Sequence, residues 1–168
     1  LFRPGHADWT YLQKYGRRDH RGSGRASGRE TAGRVAGGAV ARRLLECRGV
    51  SLLAYTLEAA GVRCDKFQPE QIERNAMRAC DADAAARMAD RVRSARDAGD
   101  SVGGIVECRI SNVPAGLGEP VFDKLDAVLA HAMLSLGAVK GIEMGAGFAA
   151  AAMRGSEHND AMTGPGQF

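Results

Sequence analysis

Aromatic side chains are scarce in this chain: one Trp, three Tyr and five Phe, 5% of its residues. That weighs against an RNA-binding module, because such modules interleave basic residues with aromatics on which bases stack. Long apolar runs are missing too. None approaches the ~20 residues of a bilayer-spanning helix, and no signal-peptide pattern opens the chain. The four cysteines, Cys47, Cys64, Cys80 and Cys108, are scattered, with no C-x-x-C and no histidine at zinc-finger spacing. They read as reduced thiols of a cytoplasmic protein, and no metal site is expected. The chain opens on Leu1 rather than Met, which reads as a piece cut or processed from a longer chain.

What is present is ordinary in bulk and uneven in layout. The 168 residues favour a single domain over 1–168, and 45% hydrophobic content argues against wholesale disorder. The net charge of +3 is too small to imply a nucleic-acid partner. However, residues 1–43 hold ten Lys/Arg against three acids, whereas the remainder holds 13 against 17. Positive charge concentrated in the opening stretch predicts an anionic partner there.

The pattern predicts an α+β fold. Ser27-Gly28-Arg29-Glu30 fits a capping box, and Ala32, Val35, Ala36, Ala39, Val40 and Leu44 recur at helical steps behind it. A helix over 29–47 follows, stopped near Gly49. In "VSLLAYTLEAAGV", Leu53, Tyr55 and Leu57 alternate with Ala54, Thr56 and Glu58 as in a strand. "DKFQPEQIERNAMRAC" predicts a loop with a short helix. "DADAAARMADRVRSARDAGD" puts Ala84, Met88, Val92 and Ala95 on one helix face, with Asp83 and Arg87 outside. "SVGGIVECRISNVP" is a second strand, with Val106, Cys108 and Ile110 opposite Glu107 and Arg109. A helix over 121–136, with His131 on its surface, and a third strand in "AVKGIEMGAGF" complete the pattern. Each strand carries one polar face. Parallel strands buried on both sides read instead as continuous apolar runs, so a mainly antiparallel sheet with packed helices is expected.

The opening stretch carries the chemistry. Arg3, His6, Arg17, Arg18, Arg21, Arg25 and Arg29 are separated mostly by small residues, which let a ligand approach the backbone. Guanidinium groups bind phosphate and carboxylate through paired hydrogen bonds, and a helix starting after Ser27 adds free N–H groups. The bland alternative is a solvated basic loop. The chemistry favours a phosphorylated or polycarboxylate small molecule.

The blocks "RPGHADWTYLQKYG", "RDHRGSGRASGRETAGRVAGGAVARRLL", "GDSVGGIVEC", "VPAGLGEPVFDKLDAVLAHAMLSL", "AVKGIEMGAGF" and "GSEHND" resemble, in order, the chorismate synthase family. The resemblance runs from Arg3 to Asp160 and covers the central part of the family's sequence, somewhat less than half of it. It implies a β-α-β sandwich subunit that assembles into homotetramers. It also implies a lyase that converts 5-enolpyruvylshikimate-3-phosphate to chorismate by 1,4-anti elimination of phosphate. The family needs reduced FMN for this, although there is no net redox change, and NADPH only where an enzyme reduces its own flavin.

By the same resemblance His6 in "RPGHAD" is one of two active-site histidines, the catalytic one beside the flavin. Arg3 and Arg29 contact substrate. Arg25, Ala26 and Ser27 occupy a flavin-contacting triplet, and His158 and Asn159 lie in a loop near the site. The chain departs from the family pattern at Ala26, where Ser is usual, and at Gly28, His20 and the tail "AMTGPGQF". The family's other histidine and early arginines fall before these blocks, and its Lys-Pro-Thr flavin motif after them. The chain alone is therefore expected to be inactive. The alternative is a non-catalytic phosphate- or flavin-binding or scaffold fragment.

Overall fold

The computed structural model describes residues 1–22, 24 and 27–164. They fall into two compact units, one of Arg42–Val113 and one of Leu1–Ala41 with Pro114–Phe168.

In the Arg42–Val113 unit, strand β1 (Ser51–Ala59) pairs antiparallel with the short β2 (Val62–Arg63) and with β3 (Gly104–Ser111), giving the order β2-β1-β3. Ala60 and Gly61, both at positive φ, form the two-residue turn between β1 and β2. That conformation suits the right-handed twist of the strands and favours glycine. A 3-10 turn, Pro69–Arg74, and a helix follow β2. Tyr55, Ala59, Val62, Cys64, Ile72, Ala79, Cys80, Ala84, Ala85 and Met88 form one buried cluster, with Leu53, Leu57 and Met77 packed against it. The antiparallel α+β reading and the strand through Leu53, Tyr55 and Leu57 are borne out, and Tyr55 is the residue of that strand face that is fully buried.

The helix of this unit (Ala82–Asp97) buries Ala84, Ala85 and Met88. Asp81 starts it with four backbone bonds. Its Oδ1 accepts from the N–H groups of Asp83 and Ala84, and Oδ2 from those of Asp65 and Lys66. Burial pushes this carboxyl up, but the four N–H donors outweigh it and hold it below its ordinary value. Asp83 pairs with Lys66, at 3.3 Å, rather than with Arg87.

The alternation in β3 is as expected, yet the covered side is the polar one. Glu107 lies across from Tyr55, so the two side chains share a face. The Tyr55 hydroxyl donates to Glu107 Oε1 at 2.5 Å and Arg109 Nε donates to the same oxygen at 2.7 Å. The Arg109 guanidinium lies 3.8 Å from the Phe67 ring centre. Val106 and Ile110, on the opposite side, are 70% and 40% exposed. A buried tyrosine needs an acceptor, and that need decides which face turns inward.

The other unit is built from helices. The opening stretch, for which the sequence pattern predicts no helix before residue 29, contains helix α1 (Asp8–Tyr15). Asp8 stands in its first turn and Lys14 in its last, matching the helix dipole. Gly16, in the left-handed conformation, closes it by donating its N–H to Leu12 O. Helix α2 (Glu30–Glu46) forms within one residue of expectation, but none of its residues is buried, so its apolar face is uncovered. Its residues 30–41 belong to this unit. With the helix at 82–97 taken as α3, helix α4 is Leu125–Leu134, four residues shorter at its start than expected. Residues before it are held in a turn, where Glu119 N–H donates to Asp123 O at 2.8 Å. Arg34 joins α2 to α4 by donating to Ser135 Oγ at 2.6 Å and to Ser135 O at 3.2 Å.

The strand expected at 138–148 is a correction. Residues 139–144 make no ladder, and 147–152 form a 3-10 turn instead. A strand is stable only with a hydrogen-bonding neighbour, and no described strand pairs with this segment. Among the described residues no helix is long and apolar enough to cross a membrane.

Candidate functional site

Three of the basic residues from the opening stretch converge on Asp8, which is only 3% exposed. Arg3 grips the carboxylate in a fork, Nη2 to Oδ1 at 2.8 Å and Nε to Oδ2 at 3.0 Å. Arg18 Nη1 donates to Oδ2 at 3.0 Å, and its guanidinium lies over the Phe2 ring at 4.6 Å. His6 Nδ1 stands 2.9 Å from Oδ1. Helix α1 explains the convergence. Asp8 sits in its first turn, and the three residues just before that turn bring His6 back alongside it, where His6 N–H bonds Arg3 O at 3.3 Å. The arginine bonds, led by that of Arg3, hold the Asp8 carboxyl well below the usual carboxylate range. One carboxylate against two guanidinium groups leaves the cluster positive, which suits an anionic ligand.

The second group of predicted residues follows in the loop before α2. Asp19 Oδ1 accepts from the N–H groups of Arg21 and Gly22, at 2.9 and 3.2 Å, folding the loop back on itself. Arg29 Nη2 donates to Gly22 O at 3.4 Å, and its side chain is exposed. Ser27 Oγ accepts from Arg29 N–H at 3.3 Å, so Ser27 does act at the helix start. The reciprocal half of the expected capping box is absent, because Ser27 N–H is already bonded to Gly24 O at 3.1 Å. Arg25 and Ala26 lie outside the described residues.

The structure thus brings Arg3 and His6 together on Asp8, and places Ser27 beside Arg29. The charge of Asp19, in the second group, acts on Arg3 in the first. His131 and His158 are exposed, as is Asn159. An open cleft of about 500 Å³ lies elsewhere, between Arg63 beside the hairpin and Arg87 and Arg91 of α3, and includes no predicted site residue. Asp8 is what sequence reading passed over, and Arg18, one of the arginines named in the opening stretch, joins the site through it. The available signal was a carboxylate two residues after His6 and five after Arg3, at the start of a helix.

Reduced FMN, the cofactor implied by resemblance, is anionic through its phosphate. The residues present fit such a group: the positive Arg3–Asp8–Arg18 cluster, the exposed Arg29 guanidinium and the small residues Gly22, Gly24, Ser27 and Gly28. Among the described residues no cluster of His, Cys, Asp and Glu could hold a metal ion.

An α+β protein with a small antiparallel sheet and a cationic, histidine-bearing helix start is the class these features define. The family profile described as chorismate synthase matches residues 1–167, and the chain belongs to that family. Chorismate synthase of Syntrophobacter fumaroxidans is 62% identical over 166 residues, covering 99% of this chain and 47% of that protein. Chorismate synthase of Methanosarcina mazei is 56% identical over 162 residues, 94% of this chain and 44% of that protein. A solved structure described as the crystal structure of chorismate synthase superposes with a TM-score of 0.83 at 31% identity, covering 93% of this chain and 52% of that one. The chain spans about half the length of the curated relatives it matches.

Proposed function

We propose that the full-length protein containing this chain is a chorismate synthase. It eliminates phosphate from 5-enolpyruvylshikimate-3-phosphate to give chorismate, with reduced FMN bound. The observation that carries this reading is 62% identity across 99% of the chain to a protein of that name. The convergence of Arg3, His6 and Arg18 on one buried carboxylate gives the reading a chemical basis.

In this reading the chain forms the central portion of a single-domain subunit, and the subunits assemble as a cytoplasmic homotetramer. Arg3 and Arg29 bind the anionic groups of the substrate, and Arg25, Ala26 and Ser27 hold the flavin. The flavin, when bound, supplies transient electron density as the phosphate leaves. His6 holds or moves a proton beside it. Arg3 is half exposed, so an anion can reach a guanidinium already oriented by Asp8. NADPH enters only if the protein reduces its own flavin.

The test is an anaerobic assay with substrate and reduced FMN. The full-length protein is expected to release chorismate and phosphate, and the 168-residue chain alone none above background. His6→Ala in the full-length protein is expected to lower turnover roughly 10- to 1000-fold, the range for a positioned acid–base group, with substrate binding changed much less. Flavin binding without turnover by the full-length protein would instead indicate a non-catalytic flavin-binding protein. Robust turnover by the chain alone would show that nothing outside it completes the site.

A further inference from the structure

We infer that Arg18 is a substrate-binding residue of this site, paired with Arg3 through Asp8 and taking the same anionic group of the substrate. The inference rests on the reading of Arg3 above, and it adds a residue to which no role attaches by resemblance.

Charge carries the argument. Arg3 alone satisfies Asp8, because its fork reaches both oxygens, Nη2 at 2.8 Å from Oδ1 and Nε at 3.0 Å from Oδ2. One guanidinium matches one buried carboxylate, so Arg18 brings a charge that Asp8 does not need. Yet Arg18 Nη1 is held 3.0 Å from Oδ2, the oxygen that already accepts from Arg3 Nε. Two cations gathered on one oxygen repel each other. The neighbouring acid does not remove the surplus. Asp19 acts on Arg3, but Asp19 is itself matched by Arg21, whose charge and N–H both act on it. An anion that bridges Arg3 and Arg18 turns their repulsion into binding.

The setting of Arg18 suits that task. Its Nη2 donates to Leu1 O at 3.3 Å, and its guanidinium lies 4.6 Å from the Phe2 ring centre. Together with the bond to Asp8, these contacts fix the plane of the group. Among the described residues they engage Nη1 and Nη2 once each, which leaves N–H donors over. The side chain is 25% exposed, so an anion can reach it. A guanidinium fixed before the ligand arrives loses little freedom on binding it.

The experiment uses the full-length protein saturated with oxidised FMN, so that substrate binds without turnover. Phenylglyoxal, which modifies accessible guanidinium groups, is applied with and without substrate, and labelling at each arginine is read by peptide mass spectrometry. Arg3 and Arg18 are both expected to be labelled without substrate and to lose that labelling together when it is present. Arg18 labelled equally, or not at all, in both states overturns the inference, and needs no variant to fold. In Arg18→Gln, assayed with reduced FMN, KM for the substrate is expected to rise roughly 10- to 100-fold, as for a lost charge-assisted hydrogen bond, with kcat changed much less. Arg18→Lys, which keeps the charge and loses the fork, is expected to fall between wild type and Arg18→Gln. Added salt should raise the wild-type KM more steeply than that of Arg18→Gln, because the variant has one charge fewer to screen. An unaltered KM in Arg18→Gln overturns the inference, whether or not flavin binding weakens. The reading beneath fails separately: an unaltered KM in Arg3→Gln removes the substrate role of Arg3 whatever Arg18 does.

Discussion

Residues 42–113 hold every buried apolar side chain of the described chain and none of the candidate site residues. Residues 1–41 and 114–164 hold all the described candidates, and among the described residues there only Asp8 is buried. The first unit closes a core between one helix and one sheet face. In the second, Val35, Val40, Phe122 and Phe148 are 68%, 74%, 89% and 81% exposed, and the named contacts are polar ones such as Arg3–Asp8 and Arg34–Ser135. Exposed polar pairs contribute little to stability, about 0–1 kcal/mol each, whereas a fully buried aliphatic side chain contributes about 1.5–3 kcal/mol. Stability and chemistry are thus carried by different stretches of this chain. The stretch with the chemistry fixes side-chain geometry through a charge network instead of through packing.

The largest test of that contrast is a pair of truncations. Ile72 is fully buried, and Ile72→Ala is expected to cost roughly 2–5 kcal/mol in urea unfolding. Val40→Ala, on the uncovered face of α2, is expected to change stability by less than about 0.5 kcal/mol. Equal costs at the two positions would break the contrast.

Helix starts sharpen it at a smaller scale. Asp81 satisfies four backbone N–H groups in a buried setting, so Asp81→Ala is expected at the upper end of N-cap losses, about 2 kcal/mol. Ser27 accepts one such bond at a half-buried position, so Ser27→Ala is expected to cost about 1 kcal/mol or less. Thermal unfolding of both variants measures the difference, and a Ser27 loss larger than that at Asp81 would contradict it.

The smallest and most local effects are expected with pH. Burial, with help from the Glu107 hydrogen bond, pushes the Tyr55 hydroxyl up to about 12. An unfolded tyrosine ionises near pH ~10, so this contribution is whole below that value and is lost as pH rises towards 12. Asp8 works in the opposite direction, because its carboxyl is held below the ordinary range. Its contribution is whole above about pH 4 and fades as pH falls further. Alkaline loss should vanish in Tyr55→Phe. Acid loss should be followed by Trp9, the single Trp, which stands next to Asp8 in α1. An alkaline profile unchanged in Tyr55→Phe would show that this buried hydroxyl is not what fails.

Periodicity made α2, α3, β1 and β3 legible, because their apolar spacing is set by backbone geometry alone. Helix α1 escaped, since its exposed face carries Trp9 and Tyr15 and no apolar stripe marks it; only Asp8 and Gly16 mark its ends. The segment 138–148 failed in the other direction. Its alternation resembles a strand, but alternation does not supply a neighbour to bond with. At the site, His6 and Arg3 could be named from their residue types and from resemblance, while Asp8 could not. A carboxylate amid arginines looks like surface charge until the fold shows it buried.

The sequence by itself determined the family, the antiparallel α+β pattern and the concentration of cations in the opening stretch. Identity of residue types, local periodicity and net charge do not depend on which segments meet. Only the tertiary structure decided that β3 turns Glu107 rather than valine towards the core, and that Arg3, His6 and Arg18 share one carboxylate. Both outcomes rest on hydrogen bonds between residues that are neighbours in space, across β1 and β3 or around the first turn of α1. A donor's partner is fixed only once burial has removed water as the competing one.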